Sequence, residues 1–187
     1  MNEEVEKTCR KAANIEKKML YHEKQHLQLC LLHTLNNLFQ RKEFSKSELD
    51  RIAEDLHPSY WFNKHRSFWG TGNYDVNVLF AALQTRDYSV VWFDARRSAA
   101  IIDLEKVFGF VFNFVSTSNF IPFWRGRHWF GVRCIDGCGY FNFDSKLSEP
   151  MLIDNFVRFA DEKLVNGYQM MLVLPCELAE DWLLPQS

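Results

Sequence analysis

From Leu29 to Phe39 this sequence is apolar almost all round a helical wheel, through Leu29, Leu31, Leu32, Leu35, Leu38 and Phe39. A helix of that kind must be buried on most of its sides, so the rest of the chain has to wrap it. A chain of 187 residues is enough for one core and fits one domain. Hydrophobic residues make up 47% of it and the net charge is −2, which is a globular composition. Near-neutral charge gives no global pull toward nucleic acid or anionic lipid, so no nucleic-acid partner is expected. No apolar run reaches the roughly 20 residues that span a bilayer, and the acidic start is unlike a signal peptide. The five cysteines, Cys9, Cys30, Cys134, Cys138 and Cys176, are an odd number and widely scattered. They read as reduced thiols of a cytoplasmic or nuclear protein, one of them free to react.

Around the apolar helix the punctuation is clear. Residues 1–20 are charged, with Val5, Thr8, Ala12, Ile15 and Met19 at helical spacing, and read as an amphipathic helix or a frayed extension outside the core. Residues 21–187 form the domain proper. Ser45-Lys46-Ser47-Glu48 is a capping box that opens a helix through Leu56. Pro58 ends it, and an aromatic stretch follows with Trp61, Phe62, Phe68 and Trp69. A glycine-bearing turn leads into a helix from Asp75 to about Gln84, with Val76, Leu79, Phe80 and Leu83 inward. The second half is β-rich: Tyr88–Asp94, Phe108–Val115, His128–Ile135, Tyr140–Asp144 and Met170–Leu174. A helix over Asp154–Asn166, stopped by Gly167, interrupts these strands. Helices first and a mostly antiparallel sheet afterwards is the α+β pattern.

Cys30 falls in the first turn of the buried helix. There the unpaired amides and the helix dipole favour a thiolate, which predicts a lowered thiol pKa. A cysteine in an apolar helix is more often a small buried hydrophobe, so the case turns on a base. His33 lies three residues on, with its side chain parallel to that of Cys30, and reads as a satisfied buried histidine. His128 opens a strand that can pack against the helix, and Asp144 is the residue suited to orient it. The two are sixteen positions apart. They share a face of the sheet only if the intervening hairpin pairs residues across a three-residue loop, Asp136-Gly137-Cys138 or Gly137-Cys138-Gly139. Asp144 could instead serve as a turn-capping carboxylate. Gln25, in the approach to the helix, can aim its amide beside the Cys30 backbone N–H and stabilise an oxyanion. A Cys3His zinc site of Cys30, His33, Cys134 and Cys138 has permissible spacing, but its two halves lie in very different settings. No metal or cofactor is therefore expected.

These segments together resemble the Josephin family of deubiquitinating cysteine proteases, in particular the short Josephin-domain proteins. The resemblance is carried by Tyr21-His22-Glu23-Lys24-Gln25, Leu29-Cys30 with His33, and Leu35-Asn36-Asn37. It continues through His65-Arg66-Ser67, Gly70 to Asn77, Ala81-Ala82-Leu83-Gln84, Val91-Trp92-Phe93-Asp94, Arg127-His128-Trp129 and Asn142 to Leu147. It covers about residues 21–183, while residues 1–20 match nothing in the family. It implies a papain-like α+β fold, with a helical subdomain packed on a twisted sheet. It also implies Cys30 as nucleophile, His128 as base, Asp144 as third residue and Gln25 as oxyanion donor. The expected reaction is hydrolysis of the isopeptide or peptide bond at the ubiquitin C-terminus. The expected partners are ubiquitin and ubiquitinated proteins, and nothing in the sequence demands a dimer. Two other readings share the residues: a ubiquitin-binding module without turnover, and a cysteine acyltransferase.

Overall fold

The computed structural model of the chain describes residues 20–26, 28–56, 74–117 and 125–185. The predicted helix over 1–20 and the aromatic stretch Trp61–Trp69 lie outside these. Helix α1, Cys30–Phe39, comes first, and every residue from Cys30 to Leu38 is buried. Its C-terminus closes on Gln40 at a φ of 55°, and the guanidinium of Arg133 donates to the Leu38 carbonyl at 2.6 Å. Helix α2, Lys46–Leu56, starts with Ser45 Oγ accepting from the Glu48 amide at 3.2 Å. The Glu48 carboxylate takes Arg86 at 3.0 Å rather than closing the reciprocal half of the capping box. Helix α3, Val76–Gln84, is capped by Asp75, whose carboxylate accepts from the Asn77 and Val78 amides. Its fully buried row is Val78, Leu79, Ala82 and Leu83. Val76 and Phe80 are only partly covered, one step round the wheel from the expected face.

Six strands follow: β1 Tyr88–Trp92, β2 Gly109–Thr117, β3 Arg125–Ile135, β4 Gly139–Asn142, β5 Met151–Ile153 and β6 Gln169–Pro175. They form one antiparallel sheet in the order β1-β6-β2-β3-β4-β5. Helix α4, Phe156–Val165, runs between β5 and β6; Asn155 caps its start and Gly167, at φ 81°, follows its end. Strand β5 is an edge of three residues, too short to show an alternation in the sequence.

The sheet is apolar on both faces, which is why it needs helices on both. Val111, Trp129, Met171 and Val173 face α1, α2 and α3. Their alternates Phe110, Phe112, Phe130, Leu172 and Leu174 face α4. Helix α1 lies so close to the sheet that glycine is needed beneath it. A Cβ on Gly131 would stand 2.8 Å from Leu38 Cγ, and one on Gly109 would stand 2.8 Å from Leu38 Cδ2. Leu38 is fully buried and has nowhere to retreat. Gly131→Ala is therefore expected to destabilise the fold by about 1–3 kcal/mol through overpacking. Urea denaturation would register this as a lower midpoint at an unchanged slope. No helix among the described residues is long and apolar enough to cross a membrane.

Candidate active site

Strand β3 is much longer than its neighbour β4. Pairing with β4 runs only from Ile135 to Val132, with one further bond from the Phe143 amide to the Gly131 carbonyl at 2.8 Å. Beyond that point the β4-side edge of β3 is vacated, and the start of α1 occupies it. Cys30, the first residue of α1, donates its thiol to the Arg127 carbonyl at 3.8 Å, and the Trp129 amide also acts on the sulfur. The nucleophile candidate thus meets the β3 backbone on both sides of His128.

His128 points to the face carrying Phe130, as strand alternation requires, and its ring meets Phe114 edge-on at 5.4 Å. Its Nε2 lies 2.7 Å from Asp144 Oδ1. The hairpin pairs Ile135 with Gly139, so its loop is Asp136-Gly137-Cys138, with Gly137 left-handed at φ 74°. That register makes His128 and Asp144 diagonal neighbours on one face despite their even separation. The expected strand through Asp144 stops two residues sooner, at Asn142, and the reason is local. Asn142 Oδ1 accepts the Asp144 amide at 2.9 Å, bending the chain into a turn. Asp144 Oδ1 also accepts the Lys146 amide at 2.9 Å. The carboxylate therefore holds its own turn as well as the imidazole.

Burial raises the Asp144 carboxyl pKa. The His128 hydrogen bond and charge, then the Lys146 amide and ammonium, outweigh it and hold the group below its ordinary value. At Cys30 the balance goes the other way, which corrects the expectation of a lowered thiol pKa. Burial pushes the thiol up, and the Trp129 and Leu31 amides, the Lys146 charge and the Cys30 amide offset only part of it. The helix N-terminus does act on the sulfur in the expected sense, but burial wins.

Gln25 is pinned beside this centre by its backbone, whose N–H donates to the Ser145 carbonyl at 2.8 Å, next to Asp144. The same segment is sewn to α1. Asn37 Oδ1 accepts the Glu23 amide at 2.6 Å, and Asn37 Nδ2 donates to the carbonyls of Glu23 and Phe143 at 3.2 and 3.1 Å. The Glu23 carboxylate takes the Tyr21 hydroxyl, Asn36 Nδ2 at 3.0 Å and His33 Nδ1 at 2.6 Å. His33 therefore has both nitrogens engaged, because its Nε2 accepts the His26 amide at 3.3 Å. Sequence reasoning gives Glu23, Asn36 and Asn37 no role. The signal was present: two adjacent asparagines in an otherwise apolar helix must find partners once buried. Among the described residues, Cys30, Cys134 and Cys176 are free thiols. In the same residues no three His, Cys, Asp or Glu side chains converge in a way that could hold a metal ion.

A cysteine-bearing helix buried against an antiparallel sheet, with helices preceding the strands, places the fold in the papain-like α+β class. Residues 25–174 match the Josephin family. A Josephin-like protein of Drosophila melanogaster is 44% identical over 181 residues, covering 89% of this chain and 81% of its own length. Josephin-2 of Homo sapiens is 40% identical over 174 residues, covering 88% of this chain and 92% of its own length. Ataxin-3 of Homo sapiens is 27% identical over 174 residues, covering 82% of this chain and 45% of its own length. The chain belongs to the Josephin family.

Proposed function

We propose that this protein is a cysteine-type deubiquitinase that hydrolyses isopeptide or peptide bonds at the ubiquitin C-terminus, with Cys30, His128 and Asp144 as its triad. The observation that carries the reading is the 2.7 Å contact of His128 Nε2 with Asp144 Oδ1. It comes together with a Cys30 thiol seated against the backbone on either side of His128. With Nε2 given to Asp144, Nδ1 is the nitrogen left to take the thiol proton. The sulfur then attacks the carbonyl of the ubiquitin terminal glycine, and the oxyanion is met by the Gln25 amide and the Cys30 backbone N–H. Collapse expels the lysine amine, which takes its proton from His128 and leaves a thioester on Cys30. His128 next deprotonates a water that attacks the thioester, releasing the ubiquitin carboxylate and restoring the thiol. Asp144 keeps the imidazole in one tautomer and orientation throughout. Burial of the sulfur favours the neutral thiol in the resting protein. No cofactor enters these steps, and the partners are ubiquitin and its conjugates.

Ubiquitin carrying a C-terminal thiol-reactive group tests the reading directly. The native chain is expected to form a covalent adduct at Cys30, identified by mass after digestion, and the same warhead without ubiquitin to react far more slowly. Binding of ubiquitin without an adduct would favour a ubiquitin-binding module, and neither binding nor adduct would remove ubiquitin as the substrate.

A further inference from the structure

His33 joins two points of the approach segment that lie on either side of Gln25. Its Nδ1 meets Glu23 Oε2 at 2.6 Å and its Nε2 meets the His26 amide at 3.3 Å. An amide N–H can only donate, so Nε2 must present its lone pair. The proton then sits on Nδ1, where the Glu23 carboxylate accepts it. The two contacts require one and the same neutral tautomer, so the ring is locked in orientation as well as in place. His33 is 7% exposed and is held in the middle of α1, which is itself held by the sheet. The segment is also tied at other points: Asn36 and Asn37 hold Glu23, Gln40 holds Tyr21, and the Gln25 backbone N–H donates to the Ser145 carbonyl. The His26 contact with His33 ties the residue after Gln25 to α1, beside the bond of the Leu29 amide to the His26 carbonyl at 3.4 Å.

We propose that His33 is a positioning residue for Gln25, fixing the Glu23–His26 segment so that the Gln25 amide is presented to the oxyanion formed at Cys30. This rests on the reading of Gln25 as the oxyanion donor. His33 touches neither substrate nor thiol and acts through Gln25 alone. Its loss should therefore cost turnover rather than binding, and should cost nothing once Gln25 is already gone.

The experiment is a double-mutant cycle on the full chain with a ubiquitin C-terminal coumarin amide as substrate. Gln25→Ala is expected to lower kcat by about 10²-fold, the scale of a lost oxyanion donor. His33→Leu keeps the volume and removes both contacts; it is expected to lower kcat by about tenfold, with KM within about twofold of native. The double variant should match Gln25→Ala within about twofold. His33→Gln places an acceptor oxygen near the position of Nε2 and should restore most of the lost kcat. Alkylation of Cys30 by iodoacetamide, which needs no oxyanion donor, should be unchanged in all four. Losses that multiply in the double variant would overturn the proposal, since His33 would then act apart from Gln25. So would alkylation that falls in step with kcat, which would mark general damage at the helix. A native chain that releases no coumarin would overturn the ubiquitin reading and this inference with it, whereas the first two outcomes arise in an active chain and sink this inference alone.

Discussion

Cys30→Ala is expected to lower turnover of a ubiquitin C-terminal amide by about 10⁶-fold, the scale of losing a nucleophile outright. The fold should survive, because the side chain removed is small and its polar contacts are with backbone groups: a 3.8 Å thiol bond to the Arg127 carbonyl and the nearby Trp129 and Leu31 amides. Thermal unfolding should shift little, and ubiquitin should still bind, since the interactions that select it lie outside the sulfur. The variant is thus expected to form a stable complex with ubiquitin conjugates, read by gel filtration. Retained turnover in Cys30→Ala would exclude the cysteine mechanism. A matching loss in thermal stability would instead make Cys30 the buried hydrophobe that its helix position first suggests. A third readout concerns the resting thiol. Because burial pushes its pKa up, free alkylation of Cys30 should climb with pH through and above the ordinary thiol range of about 8.5, with no plateau near neutrality.

Asp144→Ala should lower kcat by about 10³–10⁴-fold, because His128 then loses the acceptor that fixes its tautomer. Asp144→Asn leaves an oxygen where Oδ1 stands, and Cys-His-Asn sites are a working variant of the triad, so its loss should stay within about tenfold. The same carboxylate links the site to stability. Its pKa in the folded chain is held below the ordinary value, chiefly by His128 once the opposing effect of burial is overcome. A depressed carboxylate contributes its full stabilisation above its unfolded pKa of about 3.9 and loses it as pH falls through the lower folded value. The stability gap between native protein and Asp144→Ala should therefore be wide at pH 7 and narrow progressively below about pH 4. Urea midpoints across that range measure it. A gap that is flat with pH would mean that Asp144 acts only through its turn.

The relation between His128 and Asp144 was legible from counting. An even separation across a three-residue loop keeps two strand residues on one face, and the glycine in that loop made it plausible. The helix that carries Cys30 was equally legible, because a segment apolar almost all round its wheel has to be buried on most sides. What could not be read was the truncation of β4. Asn142 looks like a strand residue until its side chain captures the Asp144 amide, and this ends the ladder and leaves room for Cys30 at the edge of β3. The thiol pKa was misjudged for a related reason. The helix N-terminus is written in the sequence, whereas burial depends on a β3 edge that lies about a hundred residues away along the chain. The buried, satisfied character of His33 followed from its position, but its partners sit in a segment with no regular structure.

The strand order also dictates when the sheet can first be completed. Strand β1 touches the rest of the sheet only through β6, and β6 lies between β1 and β2. During synthesis, a nascent chain ending before Gln169 already contains Cys30, His128 and Asp144, yet its sheet is in two unjoined pieces. Pairing of β6 with β1 closes a loop of roughly 80 residues, a long-range event that sets in late and slowly. Completion of the sheet therefore waits for the last strand, and in a chain released early β1 has no partner in the sheet.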